Sequence, residues 1–501
     1  MALRRTWAAA VTLGVVLVAP TRAVRADDRA EPERSPPAPA SEQRLATALD
    51  LGLYLAIGTA WYILDQTNER DREYDWSFAT LKKKFVTREA FRFDDNTFGV
   101  NAPGHPIAGS LYFLSARSHG GNSLEAFAIA SAGSAVWELG IEFQEVLSIN
   151  DVITTSMGGA ALGESFFQIG EFFRRAAPTP LNAILGTVMM GATPFLPWDH
   201  RTPRAHGAVG ANGYPVDMWH RIYVGAGVEM SRASVGAPER ATALMDAGAR
   251  VIDLADYGRA GTTDPTWLGR SLRADFHVRG TATPSGAEGL WLSAEAIWSG
   301  AYGRTLRADG GGLHGVEWLA GPSAIYDYQQ RSVAAGRDRI EAVSPIGASG
   351  HAAVHLGASQ LRFDASLHPV FAAVHSHAWE EIAGAAPEVP PAALGRDGYY
   401  FSLGARAALA AALEWGGWRL GASARAYALS SAEWMEVPAH ASSIELADQR
   451  VAWEASIARD LAFGGMLARI ALRNDAHWSR AQGAFVDGAR PSMVLQLEHE
   501  L

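Results

Sequence analysis

The chain has 501 residues, 48% of them hydrophobic and 19% charged, with a net charge of −10 and no cysteine. That length supports two or three domains and a large core. The acidic balance, without a Lys/Arg stripe, excludes a nucleic-acid partner, and the missing cysteines exclude disulfides, thiolate chemistry and a lipoprotein anchor.

In chain order, Arg4 and Arg5, the apolar run Ala8 to Ala19 and the small-residue site Val24-Arg25-Ala26 predict a secretory signal over 1–26, and export follows from it. Residues 27–42 are Pro-rich and charged, too poor in apolar side chains to fold, and read as a disordered linker. A helix from Glu42 to Gln66 comes next. Its apolar part, Leu51 to Leu64, is shorter than a bilayer span and is expected to be buried or interfacial. Residues 67–100 mix charge with Trp76, Phe78, Phe85, Phe91 and Phe93 and read as a short helix and irregular surface, with Lys82-Lys83-Lys84 a solvated helix end. Two apolar segments follow, Leu124 to Val146 and Thr155 to Phe173, joined by Ser148-Ile149-Asn150-Asp151. Each carries a polar row at the spacing of one helical face: Glu138, Glu142 and Glu145 in the first, Glu164, Gln168 and Glu171 in the second. Leu181 to Phe195 adds a last helix stopped by Pro194 and Pro197. These elements make an α-helical domain over 43–198. Residues 199–218 read as a linker in which Asp199-His200-Arg201 and His206 are exposed.

From Trp219 the helical period gives way to a period of two. Ile222, Val224, Ala226, Val228 and Met230 form one face, and Tyr223, Gly225, Gly227 and Glu229 the other; Trp418 to Ala428 alternates likewise. About twelve strands of about ten residues fit between Trp219 and the end, the length a tilted strand needs to cross a bilayer. The apolar faces hold Ala, Val, Leu and Trp, with few of the Ile and Phe that fill a sandwich core. With export and the tryptophans near strand ends (Trp291, Trp298, Trp318, Trp418, Trp453, Trp478), this predicts an antiparallel outer-membrane-type β-barrel over 219–501 and an α+β chain overall. The helices are expected at the periplasmic mouth or partly inside the lumen. The ending Leu497-Glu498-His499-Glu500-Leu501 lacks the aromatic last residue common in such barrels.

Carboxylates in so apolar a setting need a partner, which makes the hairpin region the candidate site. Ser148 and Asp151 have capping-box spacing, and Gly159 and Gly163 form a small-xxx-small pair that lets helices approach closely. An antiparallel hairpin about that turn would bring Glu138 within about one helical turn of Glu164. His105, in a Gly-His-Pro turn, and Arg117 are the candidate partners. The functional reading is a polar site in which His105, Glu138, Glu142 and Glu164 bind a divalent metal or do acid/base work, with His105, Glu138 and Glu164 the candidate catalytic residues. Asn101, Arg117, Glu142 and Asp151 are binding residues, Arg117 holding an anionic group. The bland alternative is a buried ion-pair network that fixes helix register. His119, His368, His375 and His377 need no ligand to explain them, and Gly310-Gly311-Gly312 is a flexible loop.

The run Asn101-Ala-Pro-Gly-His105-Pro106, followed by Gly109-Ser110, Tyr112, Arg117, Trp137-Glu138, Glu142, Ser148-Ile-Asn150-Asp151, Gly158-Gly159 and Gly163-Glu164, resembles the domain-of-unknown-function family 3943. The resemblance covers about a quarter of the chain. It implies an exported, outer-membrane-associated protein and brings no activity. Glu142-Phe-Gln144 with Asp151, Gly159 and Gly163 shows a fainter similarity to VanZ-like proteins. Two functions remain open at this point. One is a non-enzymatic envelope protein, its barrel an anchor or conduit and its helices a plug or docking surface, with outer-membrane lipid and other envelope components as partners. The other is an enzyme acting on lipid or another envelope substrate through the His105/Glu138/Glu142/Glu164 cluster; no cofactor beyond a divalent metal is suggested.

Overall fold

The structure, a computed structural model, describes residues 40–64, 73–87, 89–190, 209–232, 239–333, 336–383, 392–436, 444–461 and 465–501. The expected signal, nearly all of the first linker, and Asp199-His200-Arg201 and His206 lie outside these residues.

The helical part comprises α1 (Ala40–Leu64), α2 (Phe78–Lys82, continued by a π turn over Lys83–Thr87), α3 (His105–Ser118), α4 (Ser123–Val136), α5 (Ile149–Ile153), α6 (Gly159–Arg175) and α7 (Pro180–Met189). Two parallel two-residue strands, β1 (Phe91–Arg92) and β2 (Leu147–Ser148), join the segment before α3 to the segment before α5. The first linker thus ends earlier than expected, at α1. Helix α4 starts with a full capping box, in which Asn122 accepts from Glu125 and the Glu125 carboxylate accepts from Asn122. It does not run on to Val146: a π turn over Trp137–Ile141 ends it, whereas the π turn over Thr154–Gly158 leads without a break into α6.

The glycines act as their spacing suggested. A methyl group at Gly109 would collide with the Thr155 carbonyl and one at Gly159 with the Gly109 backbone, so α3 and α6 touch backbone to backbone. At Gly163 it would meet the Phe113 ring at 2.6 Å.

After the helices the chain forms β3 (Trp219–Arg232), β4 (Glu239–Ile252), β5 (Gly261–Leu268), β6 (Arg273–Thr283), β7 (Gly286–Ile297), β8 (Gly300–Asp309), β9 (Gly312–Val333), β10 (Gly336–Gly357), β11 (Ser359–His375), β12 (Tyr399–Trp415), β13 (Trp418–Ser431), β14 (Leu446–Asp460), β15 (Met466–Ala481) and β16 (Ala484–Glu500). Every pairing is antiparallel, and β16 pairs with β3 from Ser492↔Ser231 to Glu500↔Tyr223, which closes the wall. The long β9 lies against β7 and then β8, and β5 pairs with β8 as β6 pairs with β7. The interrupted strands β5/β6 and β7/β8 therefore each fill one wall position, and the barrel has twelve. Tight hairpins turn on residues with positive φ: Gly416 and Gly417 (52° and 76°), and Gln482 and Gly483 (44° and 88°). Closure, not an aromatic last residue, secures the C-terminus: Glu500 pairs with Arg221 and Arg419, and the Leu501 amide donates to the Ile222 carbonyl.

Ion pairs between strands that are not neighbours identify the interior face. Arg250 and Arg273 reach Asp364, Arg406 and Arg425 reach Asp327, Arg450 reaches Asp338, and Arg331 reaches Asp475. The alternate residues therefore face outward, among them the exposed Val224, Met245, Leu409, Leu472 and Leu497. Trp291 corrects the expectation of a lipid-facing belt at that position: it lies inside, beneath the guanidinium groups of Arg279 and Arg425.

The same parity places the helical domain. Tyr326 and Tyr328 flank the inward Asp327, and Ala294 adjoins the inward Glu295, so these residues point out; with Phe371, Tyr399 and Phe401 they are buried under Phe93, Phe98, Ala102, Ala161 and Leu162. The helices thus lie on the outer wall, not at the mouth or in the lumen. Helix α6 descends across β10, β9, β7, β6 and β4 until Ile169, Phe172 and Phe173 pack on Met218, Ile222 and Val251 near the chain end of the barrel. Phe93 and Phe98, assigned above to an irregular surface, are docking residues for the wall.

Helix α1 and Ser123–Ile141 are long and apolar enough to cross a membrane, and only 11% and 28% of their 18-residue apolar stretches are buried. Leu45, Ile57, Trp61 and Ile63 on α1, Leu124 and Val136 on α4 and Ile184 and Val188 on α7 are exposed, which extends the barrel's apolar exterior sideways. Of the two expectations for α1, buried or interfacial, the exposure of these residues overturns the first.

The lumen is stopped by the barrel's own loop. Between β11 and β12, α8 (His377–Ile382) and α9 (Ala392–Asp397) place Trp379 and Leu394 among the inward Ile325, Ile340, Val370, Tyr400 and Leu429. At the other end residues 253–260 fold inward, with Tyr257 hydrogen-bonded to His351 at 2.5 Å. A cavity of about 570 Å³ remains, lined by Arg221, Arg279, Glu454, Arg469 and other charged groups.

Candidate functional site

The end of α4, the start of α3 and the short α5 converge on a buried polar cluster. Ser148 caps α5, its hydroxyl accepting from the Asp151 amide at 3.3 Å. Asp151 does not reach back to complete the box. The Ser148 amide donates instead to Glu138 Oε2 at 3.1 Å, which leaves the Asp151 carboxylate to accept from Asn150 Nδ2 at 2.7 Å and to lie 3.0 Å from His105 Nε2. Glu138, Glu142 and Asp151 each offer an oxygen within 4.8 Å of the others. Asp94 completes the group. Its Oδ1 accepts from Asn101 Nδ2 at 2.5 Å and from Asn150 Nδ2 at 3.0 Å, and Tyr399 of the barrel wall accepts from Asn101 at 2.9 Å. Asn101 is fully buried, and its side-chain oxygen Oδ1 has no hydrogen-bond partner.

Of the predicted residues, His105, Asn101, Glu138, Glu142 and Asp151 come together; Glu164 and Arg117 do not. Glu164 lies further along α6 and is fully answered there: Arg117 grips it twice, at 2.8 and 3.1 Å, Ser123 donates at 3.1 Å and Gln168 at 2.8 Å. The Arg117 guanidinium also covers the Phe167 ring at 4.1 Å. The anionic group Arg117 holds is therefore this chain's own carboxylate. The expected meeting of Glu138 with Glu164 fails because the two π turns and α5 separate α4 from α6, and no tight turn joins them. His119 is likewise a structural partner, 2.8 Å from the buried Asp50.

Three contributors were missed. Asp94 and Asn150 sit in segments without periodicity, and only the Asp-Asp pair after Phe93 marks the first. Lys84 was read as solvated, yet it is fully buried, its ammonium 3.4 Å from the Glu142 carbonyl and over the Phe143 ring at 5.1 Å. Burial lowers its pKa from the ordinary lysine value, opposed by the charges of Glu138, Glu142 and Glu145. Burial, reinforced by Glu145, pushes Glu142 up to about 8, and burial with the field of Asp94 raises Asp151 well above the usual carboxylate range. No arginine bonds to Glu138, Glu142 or Asp151 among the described residues. Such a carboxylate set, with a histidine beside it, can share protons or accept a divalent cation.

Fold and site define an outer-membrane-type β-barrel that carries a helical domain, with a buried carboxylate and histidine cluster, on its outer wall. Residues 90–194 match the family described as Domain of unknown function (DUF3943), and all of the cluster except Lys84 falls within that match or on the barrel wall. The fainter similarity to VanZ-like proteins finds no support. No curated protein matches the chain. Among solved structures, OmpTdeltaL8, a loop deletion mutant of the Vibrio cholerae outer membrane protein OmpT, is 8% identical, with 57% of this chain and 100% of that chain covered and a TM-score of 0.20. The beta domain of the Bordetella autotransporter BrkA is 11% identical, with 56% and 99% covered and a TM-score of 0.20.

Proposed function

We propose that this protein resides in the outer membrane of a Gram-negative envelope, where a closed barrel serves as an anchor, not a conduit, for a wall-mounted helical domain that binds a divalent cation at the lipid boundary. The observation that carries this reading is the convergence of Glu138, Glu142 and Asp151 within 4.8 Å, beside His105 and without a bonded arginine. An oxygen-rich set of this kind suits a hard cation such as Mg2+, Mn2+ or Ca2+. The plugged lumen and the exposed apolar flanks of α1, α4 and α7 support the anchoring role and make outer-membrane lipid the neighbouring partner.

The test is Mn2+ binding to the full-length protein in detergent, followed by electron paramagnetic resonance. About one bound ion per chain is expected, weakened at least about tenfold by Glu138→Gln or Asp151→Asn. A folded wild-type protein that leaves Mn2+ free in solution sinks the proposal. The contact of His105 with Asp151 favours a second reading, in which His105 works as a general base on an envelope lipid beside the cation. Lipid turnover lost in His105→Gln with Mn2+ retained would establish it; equal turnover in both proteins would dismiss it.

A further inference from the structure

The rim of the barrel holds a second cluster with a different donor set. His375 ends β11, Ser376 caps α8, and His377 and Glu380 lie one turn apart on that helix. Each of the three residues offers a ligand atom within 4.8 Å of the others. His375 is 3% exposed and neither of its ring nitrogens makes a hydrogen bond; Nε2 lies 3.2 Å from Glu380 Oε1, but not aligned for one. A buried imidazole without a partner loses the hydrogen bonds it had in water, and a metal ion would restore that balance.

The surroundings of His377 are those of an oriented ligand. Its Nε2 lies 3.2 Å from Asp338 Oδ1, which Arg450 and Arg331 hold in turn, and its Nδ1 faces Glu380 Oε2 at 4.0 Å. A carboxylate on the far nitrogen fixes the tautomer that leaves the near one free to coordinate. The His477 ring stacks on His377 at 4.2 Å and 22°, which sets its plane. Glu380 is exposed and gives an ion a way in.

We propose that His375, His377 and Glu380 bind a zinc-type divalent transition metal, which pins the lumen-capping loop to the barrel rim. Two imidazoles and one carboxylate are a known type of zinc donor set, with a fourth position left for water. The pinned element is the one that carries Trp379 into the lumen. Nitrogen donors separate this site from the oxygen-rich cluster of the helical domain, so either can fail without the other.

The experiment titrates Co2+ into the full-length, untagged protein in detergent and reads visible ligand-field absorption. About one Co2+ per chain is expected, displaced by Zn2+. His377→Gln and Glu380→Gln should each weaken binding at least about tenfold while the barrel keeps its heat-modifiable gel mobility, and Glu138→Gln should leave the absorption unchanged. Glu380→Gln alters an exposed side chain, so it keeps the test decisive if His377→Gln does not fold. Folded wild-type protein without the absorption, or variants that bind as tightly as wild type, overturns the assignment.

Discussion

Two groups of carboxylates are withdrawn from water among the same helices, and they are treated in opposite ways. Glu164 receives four hydrogen bonds from Arg117, Ser123 and Gln168, so its charge is matched and its lone pairs are filled. Glu138, Glu142 and Asp151 crowd one another and Asp94, with the amine of Lys84 at their edge. A matched buried charge is how a fold fixes helix register; a mutually repelling set costs stability and persists where something else uses it. The difference sets an acid that holds the fold together apart from the acids proposed here to hold a cation.

The largest effect should come from breaking the matched site. Arg117→Met leaves the buried Glu164 without its guanidinium partner, at a cost of about 3–5 kcal/mol, and the helical domain should unfold at markedly lower urea while the barrel persists. The double variant Arg117→Met/Glu164→Met should recover most of that loss, because an apolar pair of similar volume replaces the ion pair at little net cost. Helical circular dichroism against urea checks both. Next, Gly159→Val wedges α3 from α6 where their backbones touch and should cost about 1–3 kcal/mol by the same measurement. The unmatched site should behave with the opposite sign. Glu138→Gln takes one carboxyl out of the crowded set and should leave stability unchanged or raise it by about 1 kcal/mol while Mn2+ binding weakens at least about tenfold. Destabilisation by several kcal/mol would instead put Glu138 in the same class as Glu164.

The barrel was legible because a period of two runs unbroken from Ile222 to Met230 and through the strands that follow, and no soluble packing suits those Ala-rich faces. Its twelve wall positions match the number expected, whereas strands such as β9 and β10 reach 22 residues and exceed the expected length. The position of the helices was not legible. An outward Tyr326 or Phe401 looks the same in sequence whether lipid or Phe93 covers it, and only the register across the lumen shows which way it points. Within the site, the Gly159 spacing disclosed a close helix contact, but the π turns that carry Glu138 away from Glu164 leave no periodic trace. Lys84 was missed for a related reason: three consecutive lysines imply solvent, and the fold buries one of them against Phe143.

The finest discrimination is a proton count. Burial holds Glu142 at about 8, against the ordinary 4.5, so the folded state binds a proton that the unfolded chain has already released across that interval. Its contribution to stability is therefore fully present below about 4.5 and is lost as pH rises through about 8. A cation must displace that proton before the carboxylate can coordinate, so Mn2+ binding at pH 7 should release about one proton from Glu142, and fewer as pH passes 8. Calorimetry in buffers of different ionisation enthalpy measures the number, and Glu142→Gln should remove this part of it. Release that is unchanged in Glu142→Gln would mean that the cation meets other groups first, and the contrast between the matched and unmatched acids would then rest on Glu138 and Asp151 alone.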